Sequence, residues 1–183
     1  MKSAFFVCSI LLPLGGIFAI PAIATEFNPT SMTQVQSQPF SFAKNKGLPK
    51  NIASFETQLL KLTNLERQKI GLAPLKLSSQ LTRAAQSHST DMARNSYFSH
   101  TGKNGSSMAD RTKATGYKYS YLGENLAAGR STPEGTLRQW MNSSGHRANI
   151  LNRSFTEIGF GYTNEPNSPY RHYWVQVFGT PMR

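Results

Sequence analysis

The stretch Glu157-Ile158-Gly159-Phe160-Gly161-Tyr162 sets a bulky residue at every second position and a glycine between each pair. Successive side chains of a strand point to opposite faces, so this reads as a strand with one bulky face and one bare one. The loop Thr163 to Arg171 (TNEPNSPYR) joins it to a second strand, HYWVQVFG from His172, which is bulky on both faces. The segments before this late pair read mostly as helices. Helices before and after a small sheet make an α+β fold built in layers.

The helical reading rests on spacing. Ile52, Phe55, Leu59, Leu62 and Leu65 recur at three- and four-residue steps and predict an amphipathic helix from about Asn51 that ends at Gly71. GLAPLKL reads as an extended connection. Ser78 then caps a second helix with Leu81, Ala84, Ala85, His88, Met92 and Ala93 turned inward. SMADRTKATGY predicts a shorter helix closed by Gly116, and YKYSYLGENL a strand opening into a special turn. Thr132-Pro133-Glu134 combines a cap, a first-turn proline and an acid near the positive helix end, and starts a helix carrying Leu137, Trp140 and Met141. There is no internal repeat, and residues 51–183 read as one domain.

The N-terminal part reads otherwise. Met1-Lys2 precedes an apolar run from Ala4 to Ile20, and Ala22-Ile23-Ala24 supplies small residues for a signal peptidase. Residues 1–24 are expected to be a secretory signal peptide, and the polar stretch 25–50 a flexible linker. Export then places the mature protein in the periplasm, the cell envelope or the medium, with no transmembrane segment of its own. Cys8 is the single cysteine of the 183 residues, and it lies in that apolar run. The mature fold must therefore stand without disulfides, and thiolate zinc sites and cysteine nucleophiles are excluded. The formal charge of +11, from 20 Lys+Arg against 9 Asp+Glu, favours anionic polymers. The bases are scattered and carry no nucleic-acid-binding motif, so no nucleic-acid partner is expected.

Four histidines and few acids confine the candidate chemistry. His88 falls on the apolar stripe of the second helix and reads as a hydrogen-bonded core residue. His100 follows Tyr97-Phe98 in a loop. Glu124 stands in apolar surroundings (Tyr121, Leu122, Leu126, Ala127) and needs a designated partner. His146 follows the Trp140 helix. His100, Glu124 and His146 can converge either as a divalent-metal site, zinc suiting two imidazoles and a carboxylate, or as a hydrogen-bonded cluster. Ser143 and Ser144 precede His146, but no G-x-S-x-G elbow is present, and Ser-Ser-Gly reads as helix-end punctuation with Gly145 left-handed.

The ordered segments NLERQKIGLAPLKL, AAQSHSTDMARNSYFSHTG, GENLAAG, WMNSSGHRANILN, EIGFGY and YWVQVFGTP carry a resemblance. From about Ile52 to Met182 the chain resembles the CAP superfamily, or SCP domain, of cysteine-rich secretory proteins, venom antigens and plant pathogenesis-related proteins. It looks most like the bacterial branch. The resemblance implies an α-β-α sandwich with a three-stranded antiparallel sheet. It also implies a central cavity, which in eukaryotic members is lined by two histidines and two acids and can hold a divalent ion. His100 matches the first histidine and Glu124 the first acid. The second acid would fall at Ser143 and the second histidine at Tyr173, so both are absent. His172, one step away, is turned by strand alternation to the opposite face. His146, from the bacterial GHRANIL segment, takes up the role, which makes His100, Glu124, His146 and Tyr173 the expected cavity group. The expected function is a secreted, non-enzymatic binding module for an envelope lipid, glycan or protein. The alternative is a hydrolase, metal-dependent or histidine-assisted.

Overall fold

A computed structural model describes residues 50–182, with side chains from Phe55 onward. The expected signal peptide lies outside the described residues, as does the linker apart from Lys50. The elements are α1 (Lys50–Gln68), β1 (Lys76–Leu77), α2 (Ser79–Arg94), α3 (Met108–Ala114), β2 (Tyr119–Ala128), α4 (Pro133–Met141), α5 (Ser144–Ile150), β3 (Glu157–Asn164) and β4 (His172–Pro181). The sheet runs in the order β1-β3-β4-β2. β3/β4 and β4/β2 are antiparallel, and β1 lies parallel to β3.

The expected α-β-α sandwich is present, with one strand more than the three expected. GLAPLKL does not remain a plain connection: Lys76 and Leu77 pair with Glu157 and Ile158. One sheet face carries Ile158, Phe160, Tyr162, Trp174 and Phe178 against Leu59, Leu137, Trp140 and Ile150. The other carries Tyr173, Val175, Val177 and Leu126 against Leu81, Ala85 and Met92. The glycines of β3 lie on this second face, and α2 rests directly on them. A β-carbon at Gly159 would stand 2.1 Å from the backbone N of Thr82, and one at Gly161 2.3 Å from the carbonyl O of Ala85. The bare face of EIGFGY is thus the seat of a helix.

The caps expected at Ser78 and Thr132 are in place: Ser78 Oγ accepts from Leu81 N–H and Thr132 Oγ1 from Gly135 N–H. Ser107 with Asp110 adds a reciprocal capping box at the start of α3. Gly71 and Gly116 take the left-handed backbone that ends their helices. Three expectations need correction. Leu65 is exposed; the inner stripe of α1 runs through Leu59, Thr63 and Arg67, one four-residue row around the helix. β2 does not turn at Gly123-Glu124 but stays paired with β4 through Ala128. Ser143-Ser144-Gly145 is not helix-end punctuation: Ser143 stands at the N-cap of α5, and Gly145 lies inside that helix without a positive φ.

The outer edge of β2 is closed by side chains. Trp140 Nε1 donates to Leu126 O at 3.0 Å and Asn149 Nδ2 to Glu124 O at 3.3 Å. Unpaired carbonyls on an edge invite strand addition, and these two are already occupied. No helix among the described residues is long and apolar enough to cross a membrane.

Candidate functional site: a clamped glutamate beneath a loop histidine

β2 positions the site. Its register places Glu124 opposite Val177 and Asn125 opposite Gln176, so the two neighbours point to opposite layers. Glu124 enters the α2/α3 layer with its side chain 3% exposed. His100 Nδ1–H donates to Glu124 Oε1 at 2.8 Å, and Arg111, from α3, donates to Oε2 at 2.7 Å. Arg111 also donates to His100 O at 3.1 Å and to Ser106 O at 2.9 Å, which ties the loop to α3. The buried carboxylate thus has two partners, as a charge out of water requires.

Burial works against the charge on Glu124. The hydrogen bond from His100 and the guanidinium of Arg111 outweigh it and hold the carboxyl below the usual carboxylate range. His88, fully buried on α2, donates from Nε2 to Ser99 O at 2.9 Å, leaving Nδ1 without a partner. Burial first, then the charge of Arg111, holds this ring below the ordinary imidazole range. The core role expected of His88 therefore fits its surroundings, and it forms the floor under the 97–100 loop.

His146 is placed differently. It belongs to α5, which packs on the Asn125 side, and its backbone O accepts from Asn125 Nδ2 at 3.0 Å. Its ring makes no hydrogen bond to Glu124 or His100, and its Nδ1 is buried without a partner. Burial and the charge of His100 hold it below the usual range. Tyr173 lies fully buried in the α2 layer with its hydroxyl unpartnered. His172 sits on the opposite face, as strand alternation requires, with Nδ1 2.9 Å from Tyr162 Oη. The structure thus joins His100 to Glu124 and leaves His146 and Tyr173 outside their hydrogen-bond network.

Such a donor set does not fit a divalent metal. Both oxygens of Glu124 accept hydrogen bonds, one of them from a guanidinium whose charge would oppose a divalent ion at the same carboxylate. Among the described residues, no three His, Cys, Asp or Glu side chains gather as a metal site requires.

Sequence reasoning missed two groups here. Arg111 was read only as part of a short helix, because nothing along the chain tells that it meets Glu124, 13 positions away. The second group is a buried amide relay on the other face. Asn149 Nδ2 donates to Asn125 Oδ1 at 2.8 Å, Asn125 Nδ2 to Gln176 Oε1 at 3.0 Å, and Gln176 Nε2 to Thr63 Oγ1 at 3.2 Å. It fastens α5, β2, β4 and α1 to one another.

Acid should destabilise the fold in two stages. His88, His146 and His172 have folded pKa values below the imidazole's usual value of about 6.5. Their contribution is complete above that pH and is lost as the pH falls from it. Glu124 and Asp91 are depressed from the usual carboxylate range near pH 4, so theirs is lost below that. Glu56, buried and raised, acts oppositely: its contribution is present at low pH and is lost as the pH rises. Melting temperatures between pH 3.5 and 8 should decline first below about 6.5 and again below about 4. Glu124→Gln should lower stability at pH 7 by about 3–5 kcal/mol, because Arg111 then lies buried without its counter-charge, and should shrink the second decline. An unchanged acid limb in that variant would remove Glu124 from the account.

The α-β-α sandwich is the architecture that the CAP resemblance implies; the fourth strand and the clamping of Glu124 by Arg111 beside His100 are this structure's additions to it. Residues 60–178 match the CAP family, the cysteine-rich secretory protein family, and the chain belongs to it. Among its relatives is YkwD of Bacillus subtilis (strain 168), an uncharacterized protein, 42% identical over 130 residues, which are 71% of this chain and 49% of that protein. Another is YlbC of the same organism, an uncharacterized membrane protein, 37% identical over 67% of this chain and 34% of its own length. The chain spans about half or less of these curated relatives. Among solved structures, an extracellular SCP-domain protein of Bacillus anthracis aligns at a TM-score of 0.65 and 31% identity, over 74% of this chain and 45% of that one. An outer surface protein of Borrelia burgdorferi shares the fold at a TM-score of 0.63 and 21% identity, over 69% and 92% of the two chains.

Proposed function

We propose that this CAP domain works outside the cytoplasm as a non-enzymatic binding module of the cell envelope, and that its His100–Glu124–Arg111 cluster braces the 97–100 loop rather than turning over a substrate. The observation that carries this reading is the clamped carboxylate. With Oε1 held by His100, Oε2 by Arg111 and the side chain 3% exposed, the Glu124 carboxylate is engaged on both oxygens and kept from solvent. No hydrogen bond joins a described serine or threonine hydroxyl to the ring of His100 or His146, so no activated nucleophile stands ready. Location outside the cell is supported by the extracellular and outer-surface descriptions of the Bacillus anthracis and Borrelia proteins.

One feature favours the hydrolase alternative. Glu124 fixes His100 through Nδ1 while the side chain is 62% exposed, which leaves Nε2 turned toward solvent as a general base requires. The two readings part on one experiment. Purified protein is assayed on peptidoglycan and on a casein substrate, with and without a chelator, beside the His100→Ala/Glu124→Ala double variant. A binding module shows no turnover above background in either protein, retention on envelope preparations, and an unfolding midpoint that the chelator leaves unchanged. Hydrolysis by the native protein that disappears in the double variant would overturn the proposal in favour of the histidine base.

A further inference from the structure

The loop after α2 is held at every residue around Phe98, yet Phe98 itself is left in solvent. Tyr97 donates its hydroxyl to Asp91 Oδ2 and accepts from the backbone N–H of Lys103 at 3.0 Å. Ser99 O accepts from His88, and His100 is fixed by Glu124 and Arg111. Between these anchors the Phe98 ring is 41% exposed. A second loop, between β3 and β4, brings Tyr170 to meet it. The ring centroids are 5.7 Å apart at 55°, and Tyr170 is itself 47% exposed. Tyr170 in turn meets buried Tyr173 in a T-shaped contact at 5.9 Å and 85°.

Single exposed aromatics are ordinary and need no account. Two from separate loops, converging on a shared ledge whose supports are buried, form a preorganised surface that loses little freedom when a ligand settles on it. His100, with Nε2 free, supplies a polar edge. Arg171 follows Tyr170 in the chain, with its backbone at φ 64°, and is the base of that loop as Glu165 is its acid. We propose that the Phe98–Tyr170 ledge is the binding subsite for an acidic glycan. The apolar face of a sugar ring stacks on the two aromatics, its hydroxyls meet His100, and its acidic groups are drawn by Arg171 and the net charge of +11. A ledge open on its outer side suits a flat ring better than an acyl chain, which needs an enclosed groove. The inference rests on the binding-module reading and narrows it to one ligand class.

The test is calorimetric titration of the full chain with hexagalacturonate, maltohexaose, a linear hexaphosphate and phosphatidylglycerol vesicles. Phe98→Ala, Tyr170→Ala and Arg171→Gly are compared with the native protein, and melting curves verify folding. Hexagalacturonate should bind the native chain, at least tenfold more weakly after either aromatic substitution and severalfold more weakly after Arg171→Gly. Maltohexaose should bind less tightly but lose affinity with the same aromatic changes, and hexaphosphate should ignore them. Failure of hexagalacturonate to bind, affinity unchanged in Phe98→Ala, or vesicles bound with the same sensitivity to Phe98 would each overturn the proposal. Envelope retention that survives Phe98→Ala discards the ledge and keeps the binding module. Turnover lost in His100→Ala/Glu124→Ala, with hexagalacturonate still bound through Phe98, discards the module and keeps the ledge.

Discussion

Gly161→Ala is expected to cost the fold about 4 kcal/mol or more. The added β-carbon would lie 2.3 Å from Ala85 O, 2.4 Å from Ala85 C and 2.6 Å from Gln86 N, all backbone atoms of α2. A flexible side chain can swing aside from such a clash, but a helix backbone cannot. Relief requires α2 to lift by roughly an ångström, the shortfall from an ordinary carbon contact, and that opens the packing of Leu81, Ala85 and Met92 on Val175 and Val177. Overpacking ordinarily costs about 1–3 kcal/mol, and a clash with backbone on both sides belongs at the upper tail, about 4 kcal/mol or more. Such a loss is a large share of the stability of a domain that holds about 5–15 kcal/mol in all. Gly145→Ala is the matched control. It lies in α5 with no atom within 4 Å of the added carbon, and should stabilise by about 0.5–1 kcal/mol through helix propensity alone. Urea denaturation followed by circular dichroism measures both, and a Gly161→Ala midpoint close to the native one would mean that α2 yields more easily than its contacts imply.

Arg67 should be nearly as intolerant, and lysine should not replace it. Its side chain, 2% exposed as a residue, pairs with no carboxylate among the described residues. It spends its fork on backbone carbonyls instead: Nε donates to Ala73 O at 2.9 Å, and one terminal nitrogen donates to Ile150 O at 2.8 Å and Asn152 O at 2.9 Å. The other reaches Phe155 O at 3.4 Å. Ile150 and Asn152 lie at the C-terminal end of α5, where carbonyls have lost their helical donors and a positive charge is favoured. One residue of α1 thereby ties together the α1–β1 turn, the end of α5 and the approach to β3. Arg67→Met leaves these carbonyls buried without a donor and should cost about 3–5 kcal/mol. Arg67→Lys should recover less than half of that, because an ammonium is a point charge and cannot span the set as the planar fork does. Hydrogen exchange should quicken at the carboxyl end of α5 in both variants. A lysine variant as stable as the native protein would show that internal water can serve the carbonyls.

Local signals were legible wherever they depend on near neighbours along the chain. Ser78 and Thr132 were readable as caps because a cap is satisfied within three residues. EIGFGY was readable as a strand because its period is two, and the family resemblance ordered these pieces into a sandwich. The short parallel strand β1 was hidden, since two residues have no period and their partners lie 81 positions away. Ser-Ser-Gly was misread because the same residues end one helix and begin another, and only the backbone path distinguishes them. The candidate site was half legible. Glu124 was recognisable as a carboxylate in apolar surroundings that had to have a partner, and His100 proved to be one. Arg111 was not foreseeable, since a single arginine on a seven-residue exposed helix looks like any solvated base.

The sequence by itself determined helices α1 to α4 with the caps at Ser78 and Thr132, the alternation of the late strands, the absence of disulfides beyond Cys8, and the membership that six ordered motifs imply. These are consequences of local chemistry, in which a residue's preference is decided within a turn or a pleat. The tertiary structure decided which groups meet. It sent Glu124 and Asn125 to opposite layers and gave the glutamate's two oxygens to His100 and Arg111. It also seated α2 on Gly159 and Gly161 and turned a stray arginine, Arg67, into the tie between α1 and α5. Contacts of that kind join residues from 13 to more than 80 positions apart. They depend on the register of the sheet and the closeness of the layers, which come into being only when the chain has folded.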